Sequence, residues 1–302
     1  MTSPFKTVAA LGMASAVLAG CNLESAGSGT GTLSLDITDA PVDEAVAVNV
    51  VFEGVIIQSA ADNRIEITYD EPKTINLLDL QGGETAALLE GETLAAGDYE
   101  WIRLKLDADE GTGSSNIEIG PGPNEGTYSL TVPSGQQTGL KLVKGFTIPA
   151  NGSASFTIDF DLRKSVIKTG NGQYKLKPTL RLVDNTTVGA ISGTVAEATI
   201  DAINADEAGA CDAGMAVYVY EGSDVMADDV GSAGSVPITT AMVEQQGSGE
   251  LGYTAAFLVE GDYTSAFTCD AELDDPEGDD DLSFTGTQNV TVSADATSQA
   301  DF

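Results

Sequence analysis

The chain has 302 residues, with 47 acidic against 13 basic side chains, no histidine and a formal net charge of −34. A surface this negative excludes nucleic acid and anionic lipid headgroups as electrostatic partners. The lack of imidazole excludes a Ser-His or Cys-His nucleophile pair and a histidine base.

In chain order, the first feature is a short apolar run. Met1–Lys6 carries one basic side chain, Val8–Leu18 is unbroken apolar and small residues, and Leu18-Ala19-Gly20-Cys21 follows. The run is far shorter than the roughly 20 residues a spanning helix needs, so it reads as the apolar core of a secretory signal over residues 1–20. Leu-Ala-Gly-Cys resembles the lipobox of bacterial lipoproteins. That resemblance implies a lipid on the thiol of Cys21, with acyl chains of the palmitate type, and cleavage before it. Residues 21–32 then form a small, polar, glycine-rich tether reaching about 20 Å. Residue Asn22 stands where an aspartate favours inner-membrane retention, so the same resemblance implies anchorage at the cell outer membrane.

Beyond the tether the chain reads as β-structure throughout. Runs of alternating or β-branched residues bounded by Gly, Pro, Asn and Asp predict strands at Thr32–Thr38, Ala45–Gln58, Arg64–Tyr69, Tyr99–Leu106, Tyr128–Val132, Gly152–Leu162 and Tyr174–Val183. Between Leu77 and Leu94 the alternation is lost, and a short helical turn is expected. A composition shift at Asp184–Gly189 marks a boundary: from Thr187 to Phe302 there are 23 acidic residues and not one lysine or arginine. Past it, strands are predicted at Ala190–Ala198, Met215–Tyr220, Tyr253–Val259, Tyr263–Cys269, Leu282–Thr285 and Asn289–Val292, enough for a seven-stranded sandwich. The fold class expected is all-β, two β-sandwich domains in tandem over residues 33–186 and 187–302. Leu94-Ala-Ala-Gly97-Asp98-Tyr99 and Leu258-Val-Glu-Gly261-Asp262-Tyr263 echo one another, each placing a Gly-Asp turn before a tyrosine that opens a strand.

Several strings of the first segment occur together: Leu35-Asp36-Ile37-Thr38-Asp39-Ala40-Pro41-Val42-Asp43, Ile75-Asn76-Leu77-Leu78-Asp79-Leu80, Val132-Pro133-Ser134-Gly135, Gly139-Leu140-Lys141-Leu142, Ile158-Asp159-Phe160-Asp161-Leu162 and Lys177-Pro178-Thr179-Leu180-Arg181-Leu182. In this order, over about Gly31–Asp184, they resemble the bacterial lipoprotein family called domain of unknown function 4382, which implies no activity. The second segment is similar to carboxypeptidase regulatory-like, or transthyretin-like, β-sandwiches through Ile191-Ser192-Gly193-Thr194-Val195, Met215–Tyr220 and Glu260-Gly261-Asp262-Tyr263. That resemblance implies a structural or adhesive spacer. Here the chain departs from the family by inserting Cys269 and an acidic loop.

With Cys21 lipidated, Cys211 and Cys269 remain in an exported chain and have a single possible intramolecular pairing, a disulfide. Two thiols without histidine make a transition-metal site a poor expectation. Asp274, Asp275, Glu277, Asp279, Asp280 and Asp281 put six carboxylates into eight residues. Such a loop is either a solvated hairpin tip or a Ca²⁺ site supplying some of the 6–8 oxygen ligands that ion takes. Asp36, Asp39 and Asp43 surround a Thr-Asp-Ala-Pro turn that Asp39 is placed to cap. Asp159 and Asp161 share a strand face, where Lys141, Lys164 or Arg181 are the expected cations. Trp101, alternating with Ile102 and Leu104, is read as core. No catalytic residue and no certain cofactor emerge, so a non-enzyme is expected. The leading expectation is a membrane-anchored binding, adhesive or structural module of the envelope whose partner is another envelope protein or a glycan. Two alternatives stand beside it: a calcium-dependent carbohydrate- or protein-binding module, and a carboxylate-based glycosidase.

Overall fold

The computed structural model describes residues 29–40, 45–109, 111, 113–132, 140–177, 179–206, 211 and 214–302. The signal segment, Cys21, the tether up to residue 28, Asp43 and the string Pro133-Ser134-Gly135 lie outside the described residues, and the end read as tether, from Thr30, is already strand. More than half of the described residues lie in the strands of four sheets, as the all-β reading requires.

The first two sheets use the strands up to residue 184. These are β1 (Thr30–Ala40), β2 (Ala45–Ser59), β3 (Arg64–Asn76), β4 (Ala86–Ala95), β5 (Gly97–Leu106), β6 (Asn116–Ile119), β7 (Gly126–Thr131), β8 (Leu140–Leu142), β9 (Phe146–Ile148), β10 (Ser153–Asp161), β11 (Val166–Lys168), β12 (Tyr174–Leu176) and β13 (Leu180–Asp184). One sheet runs β13-β10-β1-β4. The other runs β11-β12-β7-β6-β2-β5-β8, with β3 also paired to β2 and β9 to β5. Alternation decides the faces: Leu33, Leu35 and Ile37 of β1 are fully buried while Ser34 and Asp36 between them are only partly covered. They meet Val48, Val50, Phe52, Ile102 and Leu104 of the facing sheet in one core. Gly54 interrupts the long β2, where the register shifts against both β3 and β5. A Cβ at Gly54 would stand 2.1 Å from the Ile67 carbonyl oxygen, so only glycine fits this bulge.

The expected helical turn is a 3₁₀ segment at Leu77–Gly83, capped by the Asn76 side chain and rooted in the core by Leu77 and Leu80. The run read as one strand at Tyr174–Val183 is two strands in different sheets, β12 and β13. The break falls between Leu176 and Leu180, a stretch whose sequence includes a proline, a residue with no N–H to offer a ladder.

The last two sheets come from β14 (Val188–Val195), β15 (Ala216–Glu221), β16 (Thr239–Met242), β17 (Glu244–Gln245), β18 (Leu251–Val259), β19 (Gly261–Thr268), β20 (Phe284–Val292) and β21 (Thr297–Gln299). Their orders are β17-β18-β14-β21 and β16-β15-β19-β20. The described residues thus give eight strands in place of seven. Leu282–Thr285 and Asn289–Val292 belong to the single strand β20, whose pairing with β19 shifts register between Ser265 and Phe267. The predicted strand at Ala190–Ala198 stops at Val195. A helix over Glu197–Asp206 follows it, pressing Ile200 and Ile203 onto the core. Ala-rich sequence with apolar residues three apart favours helix there over strand.

Strand β15 differs from its neighbours in being buried on both faces from Ala216 to Tyr220. Val217 and Val219 point into the sandwich core, while Ala216, Tyr218 and Tyr220 pack on the other side with Val230, Ala266 and Ala271. The continuous apolar run Met-Ala-Val-Tyr-Val-Tyr is the sequence form of such a doubly covered strand. What covers its outer face is two acidic loops, residues 224–234 and 270–283.

Candidate functional site

The two tyrosines on the outer face of β15 organise these loops. A buried phenol needs a hydrogen-bond partner for its hydroxyl. The Tyr220 hydroxyl donates to the Asp228 carbonyl oxygen and accepts from the Asp228 N–H at 2.9 Å. The Tyr218 hydroxyl donates to Asp274 Oδ2 at 2.5 Å. Gly231 lets the loops touch backbone to backbone: a Cβ there would lie 1.7 Å from the Gly278 carbonyl oxygen. The Val230 N–H donates to Asp274, 3.2 Å from Oδ1.

Asp274 is a buried carboxylate with a buried cation from the other half of the chain. Arg163 belongs to a one-turn helix, Leu162–Ser165, that leaves β10 and is started by Asp161 accepting the Lys164 N–H. Its Nη1 lies 3.3 Å from Asp274 Oδ2 and 2.5 Å from the Tyr218 hydroxyl, and its Nη2 donates to the Ala271 carbonyl at 3.2 Å. The side chains of Arg163 and Asp274 are 2% and 0% exposed, so this ion pair is shielded from solvent. Burial pushes the Asp274 carboxyl above the usual carboxylate range, opposed by the Tyr218 hydroxyl and the Arg163 guanidinium. Two further cations of the first sheets reach across: Lys164 Nζ donates to the Pro237 carbonyl at 3.0 Å, and Lys177 Nζ stands 3.9 Å from Glu277. The latter pair is exposed on both sides and contributes little.

Of the six carboxylates singled out in the acidic loop, the fold gathers three and separates three. Asp274 and Asp280 converge with Asp229, and Asp279 converges with Asp228 and Asp229, the carboxylate oxygens of each group lying within 4.8 Å of one another. Asp275, Glu277 and Asp281 are exposed and enter neither group. Asp275 accepts the Glu277 N–H and serves the turn itself. Asp228 and Asp229 were not among the predicted ligands. Their signal was present in the Asp228-Asp229-Val230-Gly231 string, an acidic doublet ahead of a glycine, but it lies more than 40 positions from the loop it meets. Asp229 is fully buried. Its Oδ2 accepts the Asp280 N–H at 3.0 Å, while its Oδ1 has no hydrogen-bond partner.

The disulfide joins Cys211 and Cys269 as expected and fixes the end of β19 beside this site. Asp159 pairs with Arg181, at 2.5 Å and 3.1 Å from its Nη2 and Nε, and Asp161 with Lys164 at 3.2 Å. Lys141, the third expected cation, lies instead over the Trp101 ring at 4.4 Å, with Arg103 at 5.2 Å from the same ring. Trp101 is therefore only half-buried on the face away from Ile102 and Leu104, which corrects its reading as core. A cleft of about 210 Å³ between the two pairs of sheets is lined by Asp39, Asp159 and Glu244. The Asp159 carboxylate in it is already committed to Arg181.

The molecule is thus an all-β protein of two joined sandwiches with a carboxylate-rich site at one side of the joint. Residues 30–178, just under half of the chain, match the family model described as a domain of unknown function (DUF4382). No curated protein matches the chain. Solved structures similar to it include the Bacillus anthracis TIE protein, at 10% identity and TM-score 0.19, covering 90% of this chain and 34% of that one. The chain spans about a third of that protein's length. The minor pilin GBS52 of Streptococcus agalactiae matches at 9% identity and TM-score 0.17, covering 89% and 94% of the two chains. The major pilin of Streptococcus pyogenes matches at 10% identity and TM-score 0.18, covering 90% and 99%. Likenesses of this size fix neither fold detail nor function.

Proposed function

We propose that the chain is a non-catalytic module of a bacterial envelope, held by lipid on Cys21 at the outer membrane and acting as a binding, adhesive or structural element. The observation that carries this reading is the joint made by Arg163. A guanidinium buried between the two sandwiches, bonded to Asp274, Tyr218 and the Ala271 carbonyl, ties them into one stiff body. A stiff two-sandwich body on a flexible lipid tether suits a spacer or presenting arm, with the second unit in the role of a regulatory-like β-sandwich. Composition supports the same reading, because histidine is absent and the two cysteines beyond the lipobox are consumed by a disulfide. Among the described residues no helix is long and apolar enough to cross a membrane.

The experiment is expression in a Gram-negative host with a clickable palmitate analogue. The wild-type chain is expected to carry the label and fractionate with outer membranes, and Cys21→Ser to lose both. An unlabelled wild-type chain in the soluble fraction would overturn the anchored reading. A calcium-dependent binding module is the second reading, favoured by the unpartnered oxygen of the buried Asp229.

A further inference from the structure

We propose that the loops at residues 228–231 and 274–280 hold one Ca²⁺ ion, with Asp229, Asp274 and Asp280 as its inner carboxylates and Asp228 and Asp279 closing its outer side. Three observations converge on it. First, Asp229 is completely buried and donor groups reach only one of its two carboxylate oxygens. A buried carboxylate with an unmet oxygen is costly unless a cation or donor faces it. Second, that residue belongs to both carboxylate groups, so both sets of acids converge beside it. Third, Arg163 balances one charge at Asp274, and no lysine or arginine from residue 187 onward is available to balance the others.

The chemistry selects the ion. Every side-chain donor is a hard carboxylate oxygen, which suits calcium or magnesium over thiophilic or imidazole-seeking metals. Oxygens up to 4.8 Å apart match opposite ligands across an ion with bonds of about 2.3–2.6 Å. Magnesium, with bonds of about 2.0–2.1 Å, would require the loops to close further. The site is also built: the Tyr218 and Tyr220 hydroxyls hold one carboxylate and one backbone in place, and Gly231 admits the second loop at contact distance. Because Asp274 touches the ion site and Arg163 together, calcium would stiffen the joint between the sandwiches. The inference concerns the second unit alone and stands or falls separately from lipidation at Cys21.

The test uses the whole chain, purified with its disulfide intact, stripped with EDTA and titrated with calcium chloride by calorimetry. A dissociation constant in the range of about 10⁻⁵–10⁻³ M is expected, with a melting midpoint raised by about 5 °C at a hundredfold excess over it. Asp229→Asn should weaken binding at least tenfold, and Asp281→Asn, an exposed acid outside both groups, should leave it within twofold. If Asp229→Asn does not fold, Asp280→Asn decides in its place. Hydrogen exchange at residues 228–234 and 274–281 should slow with calcium. A melting response to calcium no larger than to magnesium or to sodium chloride at matched ionic strength would overturn the proposal, as would calcium binding that survives Asp280→Asn unchanged.

Discussion

Two tyrosines show how a single side chain can set the start of a strand. Tyr99 and Tyr263 each open a strand after a Gly-Asp step, and each hydroxyl donates back to the backbone four residues earlier. Tyr99 reaches the Ala95 carbonyl at 2.8 Å and Tyr263 the Val259 carbonyl at 2.6 Å. The aspartates repeat as well: Asp98 accepts from Thr147 Oγ1 at 2.6 Å and Asp262 from Thr291 Oγ1 at 2.7 Å. The faint sequence echo between residues 94–99 and 258–263 is therefore one device used twice, a corner that pins the strand entry as in other β-sandwiches. Tyr99→Phe and Tyr263→Phe each remove one hydrogen bond and leave the ring. Each is expected to cost about 1 kcal/mol, and the double variant about 2, because the two corners share no partner. Urea unfolding of the three variants measures this, and a Tyr263→Phe variant as stable as wild type would show that the corner contributes no stability.

Among the elements, β15 and β19 form the frame on which the acidic loops rest. They pair from Ala216–Thr268 to Glu221–Tyr263, and the Cys211–Cys269 bond closes the same end of the pair. The 58-residue separation contains the 228–231 loop and the strands β15 to β19. A cross-link over a loop of that size stabilises chiefly by restricting the unfolded chain, by about 2–4 kcal/mol. Cys211→Ser with Cys269→Ser is expected to lower stability by that amount. The two variants should also speed hydrogen exchange in β19 more than in β10, which lies in the other pair of sheets. Equal loss in both strands would mean that the two sandwiches unfold as one unit whatever the covalent frame.

For the whole molecule, the distribution of charge decides how the halves meet. All 13 basic residues precede residue 187, and three of them, Arg163, Lys164 and Lys177, reach the acidic second half. Only Arg163 is buried at the joint, and breaking a buried pair by removing one partner leaves the other charge uncompensated. Arg163→Met should cost about 3–5 kcal/mol and split the melting curve, in EDTA, into two transitions. Adding Asp274→Asn to that variant should recover much of the loss, since the stranded charge is then gone. Scanning calorimetry reads both, and a single unshifted transition in Arg163→Met would remove the joint from the account of stiffness.

Sequence alone was enough for what depends on local pattern. Alternation and turn residues located most long strands, the loss of alternation from Leu77 onward located the 3₁₀ turn, and two cysteines left over once Cys21 is read as lipidated predicted the disulfide pairing. The doubly apolar run of β15 could also be read locally. What required the tertiary structure was every contact between segments distant along the chain. Asp228 and Asp229 join Asp274, Asp279 and Asp280 only because Tyr218 and Tyr220 project from the same face of β15 and Gly231 lets two loops touch. Arg163 finds Asp274 across 111 positions because a one-turn helix at the end of β10 aims it at the second sandwich. Short strands such as β8, β9, β16 and β21 carry too few residues for a period to emerge, and the sheets that recruit them decide their existence. A row of acids names its own chemistry, but which of them come together is a matter of distance, and distance belongs to the folded chain.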